Sequence, residues 1–415
     1  MKLWGALYLS SWVVPPPPPP PMETTPLTTS VAVNLPASTT MRTTLLPQGL
    51  SSAALQQGIS SFVVAAETAA PPSKADVQLL RQAFAEFYGV DRDLKKSQEL
   101  LSTAIDLWAN QAPDERAALY RVRGDCYTLL ADADKAAADY EMAIQLLSTP
   151  AAQAAADPSE LPAALLGRAR AIVGGSGSTT TTLSPTAAKQ AAADYEQYLK
   201  LSSREEWDTD AELIQDGASR NPFAAWEWGL ALRRAGQYAQ AQQAHALAAQ
   251  AFAEIGDKAR SVISLLDAGI DAAAANNVQD ANAILTKAIP QTKGVESRDV
   301  ALLQRVIAKE GEGRMALAAL LWNDATVKDG KAQAEKLLGD ACVRLEQMQA
   351  TNSKSPKGVV STSATPSTGL RFSIDDSLPA ALDVSCYKFK NPAFLEQLEW
   401  PEELQRKVIK LETLR

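Results

Sequence analysis

The side chains that most often carry acid–base, nucleophilic or metal chemistry are scarce in this chain. There is one histidine, His245, and the three cysteines, Cys126, Cys342 and Cys386, lie far apart in the sequence. A zinc site needs cysteine and histidine ligands at short, regular spacings, which this sequence lacks. We therefore expect no metal, no cofactor and no enzyme activity. His245 is interpreted as a packed core residue and the cysteines as small buried residues.

One carboxylate pair and one glycine-rich stretch remain. Glu227 and Asp267 occupy equivalent positions in successive segments, and stacking of those segments could bring them together and raise one pKa. Without a nucleophile or base nearby, we interpret them as charges at the edge of a groove. Gly174, Gly175 and Gly177 lie in a threonine-rich stretch without the preceding strand and following lysine of a phosphate-binding loop. These residues favour binding over catalysis.

The composition excludes several classes of protein. The 415 residues are 46% hydrophobic and 21% charged, which is enough for a sizeable core. Forty basic and 48 acidic residues give a net charge of −8, which argues against an electrostatic nucleic-acid binder. No apolar run reaches the roughly 18 residues that a membrane-spanning helix needs. We expect a folded protein whose partners are proteins.

Residues 1–76 differ from the rest of the chain. They carry only three basic and three acidic side chains, and an apolar run is followed by seven prolines rather than by a signal-peptide cleavage site. Abundant Ser and Thr with few acids are typical of an organellar transit peptide, although simple disorder explains the composition nearly as well. We predict a disordered, targeting segment over 1–76.

Residues 77–348 show a helical pattern almost throughout. Apolar residues recur three and four apart, prolines are sparse, and no run alternates with the period of a strand. Polar stretches at 174–185 and 349–369 are predicted as an inserted loop and a disordered linker. Residues 370–415 are predicted to form a capping tail, with a terminal helix over 401–414.

Glycine and alanine recur at a fixed spacing within the helical region. Gly124 is followed by alanines twelve and nineteen residues later, and the same spacing starts at Gly229 and at Gly269. After Gly167 the corresponding alanine is Ala191, 24 residues later instead of twelve, and the excess equals the length of the stretch at 174–185. Small residues let two helices cross closely, so the spacing predicts stacked helical hairpins.

These segments resemble the tetratricopeptide repeat (TPR), a helical hairpin of about 34 residues. The match is closest over 117–150, which has Tyr120, Gly124 and Tyr127 at the family's positions. Two further good matches and three weaker ones are at 222–255, 262–295, 78–111, 160–204 and 315–348. The last unit has Trp322 where a small residue is expected, and an extra helical segment at 299–314 precedes it. The resemblance implies an all-α, TPR-like α-solenoid of about six hairpins with a C-terminal capping segment.

The block from Arg220 to Ala273 looks like plastid-targeted TPR proteins of plants and algae. With the transit-like first 76 residues, this resemblance implies a chloroplast or other plastid protein, in the stroma or at the thylakoid, with the lumen left open. It also implies a role in thylakoid or photosynthetic assembly, which includes a place at the periphery of a thylakoid membrane complex.

In the TPR family, the first helix of each hairpin lines a concave surface that holds an extended or helical peptide. The residues at the corresponding positions are mostly apolar here: Phe223, Trp226, Leu230, Arg233, Ile263, Leu266 and Ile270. They predict an apolar groove for a protein partner. Because the tail is also rich in apolar residues, the alternative is that the tail itself fills the groove. Some members grip a terminal carboxylate with lysine, asparagine and arginine on this face. The corresponding positions here hold Arg121 and Asp125 in one unit and Trp226 and Leu230 in another, so that set of residues is absent.

The predicted function is a non-catalytic protein-binding scaffold. More narrowly, we expect a plastid or thylakoid assembly or biogenesis factor that holds a client segment in the groove. The alternative is a structural subunit of a larger photosynthetic complex.

Overall fold

The computed structural model describes residues 72–175, 183–204, 207–325, 327–353, 372–373 and 386–411. The predicted targeting segment up to residue 71, most of the inserted loop and most of the linker lie outside these ranges.

Helices dominate the described residues. They are α1 Lys74–Tyr88, α2 Leu94–Leu107, α3 Pro113–Leu129, α4 Ala133–Leu146, α5 Pro150–Ala155, α6 Glu160–Gly175, α7 Pro185–Ser202, α8 Asp210–Arg220, α9 Pro222–Arg234, α10 Tyr238–Glu254, α11 Lys258–Ala274, α12 Val278–Gln291, α13 Val300–Asn323, α14 Gly330–Ser353, α15 Pro392–Gln397 and α16 Glu402–Ile409. A short 3₁₀ helix spans Cys386–Lys390. In the part of the chain that is described, the one strand pairing is antiparallel and joins Glu296–Ser297 (β1) to Phe372–Ser373 (β2).

The long helices pack as six consecutive hairpins. The pairs are α1–α2, α3–α4, α6–α7, α9–α10, α11–α12 and α13–α14, and each hairpin packs against the next. The all-α solenoid predicted from the sequence is confirmed. Helix α8, between the third and fourth hairpins, belongs to no predicted repeat and packs mainly on α7 and α10.

Three of the hairpins share one turn. Ala131, Gly236 and Asn276 each lie two places after the last residue of a first helix and have a φ between 59° and 75°. The amide that follows each of them donates a 2.9 Å hydrogen bond to a carbonyl in the preceding turn. This 6→1 bond is the Schellman ending, which terminates a helix and reverses the chain. The short connections of the repeat thus follow from local backbone geometry.

The spacing of small residues that repeats along the chain marks close helix crossings. A Cβ placed on Gly229 would lie 2.5 Å from the ring of His245, and one on Gly269 would lie 2.5 Å from Leu285. The ring of Tyr140 lies against both Gly124 and Gly167, so one aromatic side chain fits two glycines from neighbouring hairpins. The physical reading of the repeat is therefore correct: a large residue of one helix fits over a small residue of another.

The prediction for the last hairpin is wrong. Residues 299–314 are not a separate segment before a unit at 315–348, because α13 runs without a break from Val300 to Asn323. Leu345 of α14 packs over Gly311, where a Cβ would be 3.1 Å away. The small residue at the crossing of α13 and α14 is thus Gly311, which lies eleven positions before Trp322, where the repeat pattern places it.

Two boundaries also differ from those expected. Gly174 and Gly175 belong to α6 rather than to the inserted loop, and Pro185 is the first residue of α7. Helix α14 continues to Ser353, so the first residues of the predicted linker are helical.

The described end of the tail, residues 386–411, folds onto the last hairpins, and we call it the docked tail. Helix α16 is shorter than the predicted 401–414, with Pro401 as its N-cap. Leu404, Val408 and Leu411 are buried along one face, as the spacing predicts.

Cys386 is joined by a disulfide to Cys342 of α14. Cys386 is buried, as interpreted from the sequence, whereas Cys342 is only partly buried. The bond itself was not anticipated, because a separation of 44 residues gives no sequence signal of the pairing.

Glu115 gives the fold an expected pH dependence. It is buried in the first turn of α3, and desolvation, with Asp114 next to it, raises its pKa from 4.5 to about 7. Between these values the folded chain holds a proton that the unfolded chain has lost, so stability falls as the pH rises. We expect Glu115→Gln to remove that fall and to raise the free energy of unfolding at pH 8 by about 1 kcal/mol, after allowance for solvent screening.

Urea unfolding of the wild type and of Glu115→Gln at pH 5 and pH 8 checks this expectation. Glu335→Gln, an exposed change on α14, is the control and should leave the pH dependence unchanged. Equal pH dependence in wild type and Glu115→Gln would contradict the prediction.

Candidate functional site

The seven predicted groove residues lie on two neighbouring first helices but do not share one environment. Phe223, Trp226 and Leu230 of α9 are half-buried and face solvent in part. The exposed fractions of the other four are 5%, 9%, 0% and 1% for Arg233, Ile263, Leu266 and Ile270. The prediction of an open groove is thus wrong for Arg233, Leu266 and Ile270, which are buried. Helix α13 packs against α11 along this side, and the sequence register had divided α13 between two units.

A buried ionic cluster lies beneath the groove. Arg233 of α9 donates hydrogen bonds to two carboxylates of α11, at 2.6 Å to Asp271 and 2.9 Å to Asp267. Lys309 of α13 contacts Asp267 at 3.3 Å and Glu312 at 2.7 Å. Together with His245, whose Nδ1 lies 2.5 Å from Asp271 Oδ2, these residues join three hairpins through charge. His245 is buried, as predicted.

The electrostatics of Asp267 are the opposite of those expected. Burial alone would raise the pKa of its carboxyl, but Lys309, Arg233 and His245 outweigh burial and hold the pKa well below its ordinary range. Glu227 does not approach it as a partner and pairs with Arg170 of α6 at 2.9 Å. Asp267 is therefore a buried counter-ion, and its interpretation as a groove-edge charge is wrong.

An open cleft begins where the ionic cluster meets the surface. The indole Nε1 of Trp226 donates a hydrogen bond to Asp267 Oδ2 at 3.1 Å, so the cluster orients this ring. The cleft is a shallow depression that is partly open to solvent. Its lining combines apolar and basic side chains and contains no acidic residue: Trp226, Phe252, Arg260, Ile263, Ser264, Arg305 and Lys309.

The basic residues of the open cleft were missed by sequence reasoning. Arg260 lies one turn before the predicted groove positions of its helix, with its guanidinium 5.2 Å from the centre of the Phe223 ring. Arg305 and Lys309 are four residues apart on α13, in the segment whose register was mistaken. Their i, i+4 spacing was the available signal, because such residues lie on one side of a helix.

The docked tail covers the opposite end of the groove. Helix α16 packs on α13 and α11. Glu399 accepts a 2.5 Å hydrogen bond from Arg234 at the end of α9, and Lys407 contacts Asn276 just after α11. The tail therefore packs across the ends of the helices that carry the predicted groove residues, and the open cleft lies away from it.

In the second hairpin, the residues at the groove positions, Arg121 and Asp125, form ion pairs and hydrogen bonds with other residues of the solenoid. Arg121 pairs with Asp125 at 2.7 Å and with Glu160 of α6 at 2.6 Å. The hydroxyl of Tyr140 donates a 2.7 Å hydrogen bond to Asp125. These contacts join the second hairpin to the third.

The described ranges lack both a metal-ligand cluster and a membrane-spanning helix. Those residues contain no group of three His, Cys, Asp or Glu side chains arranged to hold a metal ion. None of the helices within them combines the length and hydropathy needed to cross a bilayer.

No family model and no curated protein matches this chain. Among solved structures, it is similar to the crystal structure of BtubC (BKLC) from P. vanneervenii, with a TM-score of 0.39 and 15% sequence identity. The match covers 71% of this chain and 98% of that one. A likeness this low carries no argument about function.

Proposed function

We propose that this protein is a non-catalytic, TPR-like scaffold that holds a segment of a client protein in the open cleft. The observation that carries the proposal is the lining of the cleft. The half-buried ring of Trp226 offers apolar surface at a place where three hairpins meet, next to the buried side chains of Phe252 and Ile263. Aromatic side chains are enriched at the centres of protein interfaces.

The lining also indicates the chemistry of the client. Arg260 and Arg305 lie at the apolar floor, and no acidic side chain is part of the lining. Lys309 also belongs to the lining, but it pairs with Asp267 and Glu312 inside the ionic cluster, and Arg260 pairs with Asp257 of its own helix turn. A client segment with an apolar side chain next to a carboxylate would match both features, because complementary charge favours encounter and fixes orientation. We therefore propose an apolar and acidic client segment.

The cellular role is proposed on other grounds. The composition of residues 1–76 and the resemblance of Arg220–Ala273 to plastid TPR proteins support a plastid protein. In that setting the scaffold would serve thylakoid assembly or biogenesis, as a peripheral component rather than an enzyme.

Replacing Trp226 with alanine tests the proposal. Tagged wild type and Trp226→Ala would be purified from the native cell, and the proteins that co-purify would be compared by mass spectrometry. We expect Trp226→Ala to lose a specific set of proteins, with at least tenfold weaker binding of the captured segment as a synthetic peptide, the usual cost of removing an aromatic hot spot. Trp207→Ala removes a partly exposed tryptophan that is not part of the cleft lining and should keep that set.

Arg305→Glu separates charge recognition from apolar contact. It should weaken the same peptide and remove the salt dependence of its binding, while circular dichroism stays that of the wild type. Ile270 is unsuited to such a test, because a charge at this buried position would unfold the chain. Retention of every partner by both variants would refute the cleft as the binding site. One fixed stoichiometric set, unaffected by them, would indicate a structural subunit instead.

A further inference from the structure

The docked tail is held to the solenoid by one covalent bond and by an apolar face. The disulfide joins Cys386, at the start of the docked tail, to Cys342 in α14. Beyond it, Phe389 is fully buried and its ring lies 5.3 Å from that of Phe394 and 6.0 Å from that of Trp400. These residues belong to the same apolar core as α11 and α13.

The docked tail crosses the same end of three successive first helices. Glu399 bonds Arg234 at the end of α9, and Lys407 reaches Asn276 beyond the end of α11. The carbonyl of Lys407 accepts a 3.4 Å hydrogen bond from Asn323, the last residue of α13. The tail thus lies across the end of the groove opposite the open cleft, which begins around Trp226.

The disulfide determines how the docked tail is linked to the surface it covers. With the bond formed, Cys386 is fixed to a helix that is part of the last hairpin. Without it, the tail is attached through the chain that follows Cys342, in which α14 continues to Ser353 and Phe372–Ser373 pair with β1. The last anchored point before the docked tail is then Ser373 rather than Cys386. A longer connection lowers the effective concentration of the tail at its docking surface, so reduction favours the released state.

We propose that the Cys342–Cys386 disulfide is a redox-controlled latch that keeps the docked tail across the groove and regulates how much of the groove a client can reach. In the oxidised chain the accessible part is the open cleft. In the reduced chain the tail leaves its site and adds the apolar ends of α11 and α13 to the accessible surface. The effect on clients rests on the proposed function, whereas the latch itself does not.

The exchange chemistry needs a dithiol reductant. Its thiolate attacks the sulfur of Cys342, which is the more accessible of the two because Cys386 is buried. The bond between the two protein sulfurs breaks, Cys386 leaves as a thiolate and takes a proton, and a mixed disulfide forms at Cys342. The second thiol of the reductant then displaces Cys342, which also becomes a thiol. The protein gains two electrons and two protons while the dithiol is oxidised to a disulfide.

Hydrogen exchange of the full chain tests the latch without any client. Backbone exchange in 392–411 would be followed by mass spectrometry in the oxidised chain and after reduction with dithiothreitol. We expect exchange in these residues to become at least about tenfold faster on reduction, while the helices of the first two hairpins keep their protection. Cys342→Ser/Cys386→Ser should behave like the reduced wild type with or without reductant. Cys126→Ser removes the buried free cysteine and should keep the response.

Two results would overturn the latch. One is labelling of three thiols in the unreduced, denatured chain, which would mean that the disulfide does not form. The other is equal protection of 392–411 before and after reduction. A positive control is Val408→Glu, which should release the tail in the oxidised chain because Val408 is fully buried. If exchange responds to reduction but peptide binding does not, the latch stands and its effect on clients is refuted. Failure of the proposed function is a separate result, namely retention of the peptide by Trp226→Ala.

Discussion

Replacing Arg233 with methionine is expected to lower the free energy of unfolding by about 3–5 kcal/mol. The guanidinium is buried and holds Asp267 and Asp271 at 2.9 and 2.6 Å. Methionine fills a similar volume but leaves two carboxylates in the interior without this cation. An uncompensated buried charge costs more than the net gain of forming the pair, which is why removal of one partner is so damaging.

Urea unfolding followed by circular dichroism measures this effect. Arg220→Met is the matched control, since Arg220 pairs with Asp216 four residues earlier at a partly exposed site. Such helical pairs contribute about 0.5 kcal/mol or less. A loss below about 1 kcal/mol for Arg233→Met would show that water reaches the ionic cluster and that its charges are not mutually dependent.

Replacing Gly217 with alanine is expected to cost about 2–3 kcal/mol, in the range of an overpacked core. An added Cβ would lie 2.1 Å from the carbonyl oxygen of Leu199, which is a backbone atom of α7. A side chain can rotate away from such a contact, whereas a backbone atom moves only if the helix moves. Helices α7 and α8 must therefore separate, and their shared core near Ile214 and Leu199 must loosen.

The same substitution at Gly339 is a control with the opposite expected sign. Gly339 lies within α14, and an added Cβ would meet nothing within 4 Å. Alanine there should stabilise the helix by about 0.5–1 kcal/mol because it removes the excess backbone entropy of glycine. Thermal unfolding of Gly217→Ala and Gly339→Ala measures the two expected changes in stability. A stabilised Gly217→Ala would mean that α7 and α8 do not cross as closely as the structure has them.

The two effects together describe how the open cleft is supported. The crossing of α7 and α8 fixes the hairpin that precedes α9, and Arg233 ties α9 to α11. Trp226, which lies in the cleft, is oriented through Asp267 of the same ionic cluster. A variant of Arg233 that still folds should therefore alter the environment of Trp226, which its fluorescence would report.

The solenoid was predictable because its signals are local. A helical period, an N-cap and a small residue at a close crossing are all present within one stretch of about 34 residues. Gly229 and His245 illustrate this, since they are only 16 residues apart and belong to one hairpin. The same holds for the face of α16, where Leu404, Val408 and Leu411 reveal the buried side by spacing alone.

The candidate site was only partly predictable because it depends on contacts between distant segments. Trp226 and Phe223 were found from their position in one repeat, but Lys309 enters the cleft from a helix whose register the repeat pattern misplaced. Arg305 and Lys309 are unremarkable in sequence, since a basic pair on a helix is usually a solvated face. Only the packing of α13 against α11 places them beside Trp226.

By itself, then, the sequence determined the all-helical fold and the pairing of helices in the regular hairpins, since these follow from spacings within a single repeat. Helix α8 and the register of α13 were outside its reach. The tertiary structure alone decided which predicted groove residues stay accessible. It buried Ile270, paired Arg233 with carboxylates more than thirty residues away, joined Cys342 to Cys386 and placed Glu399 beside Arg234, 165 residues apart. Contacts over such distances depend on how the whole chain packs, and short-range periodicity carries no information about them.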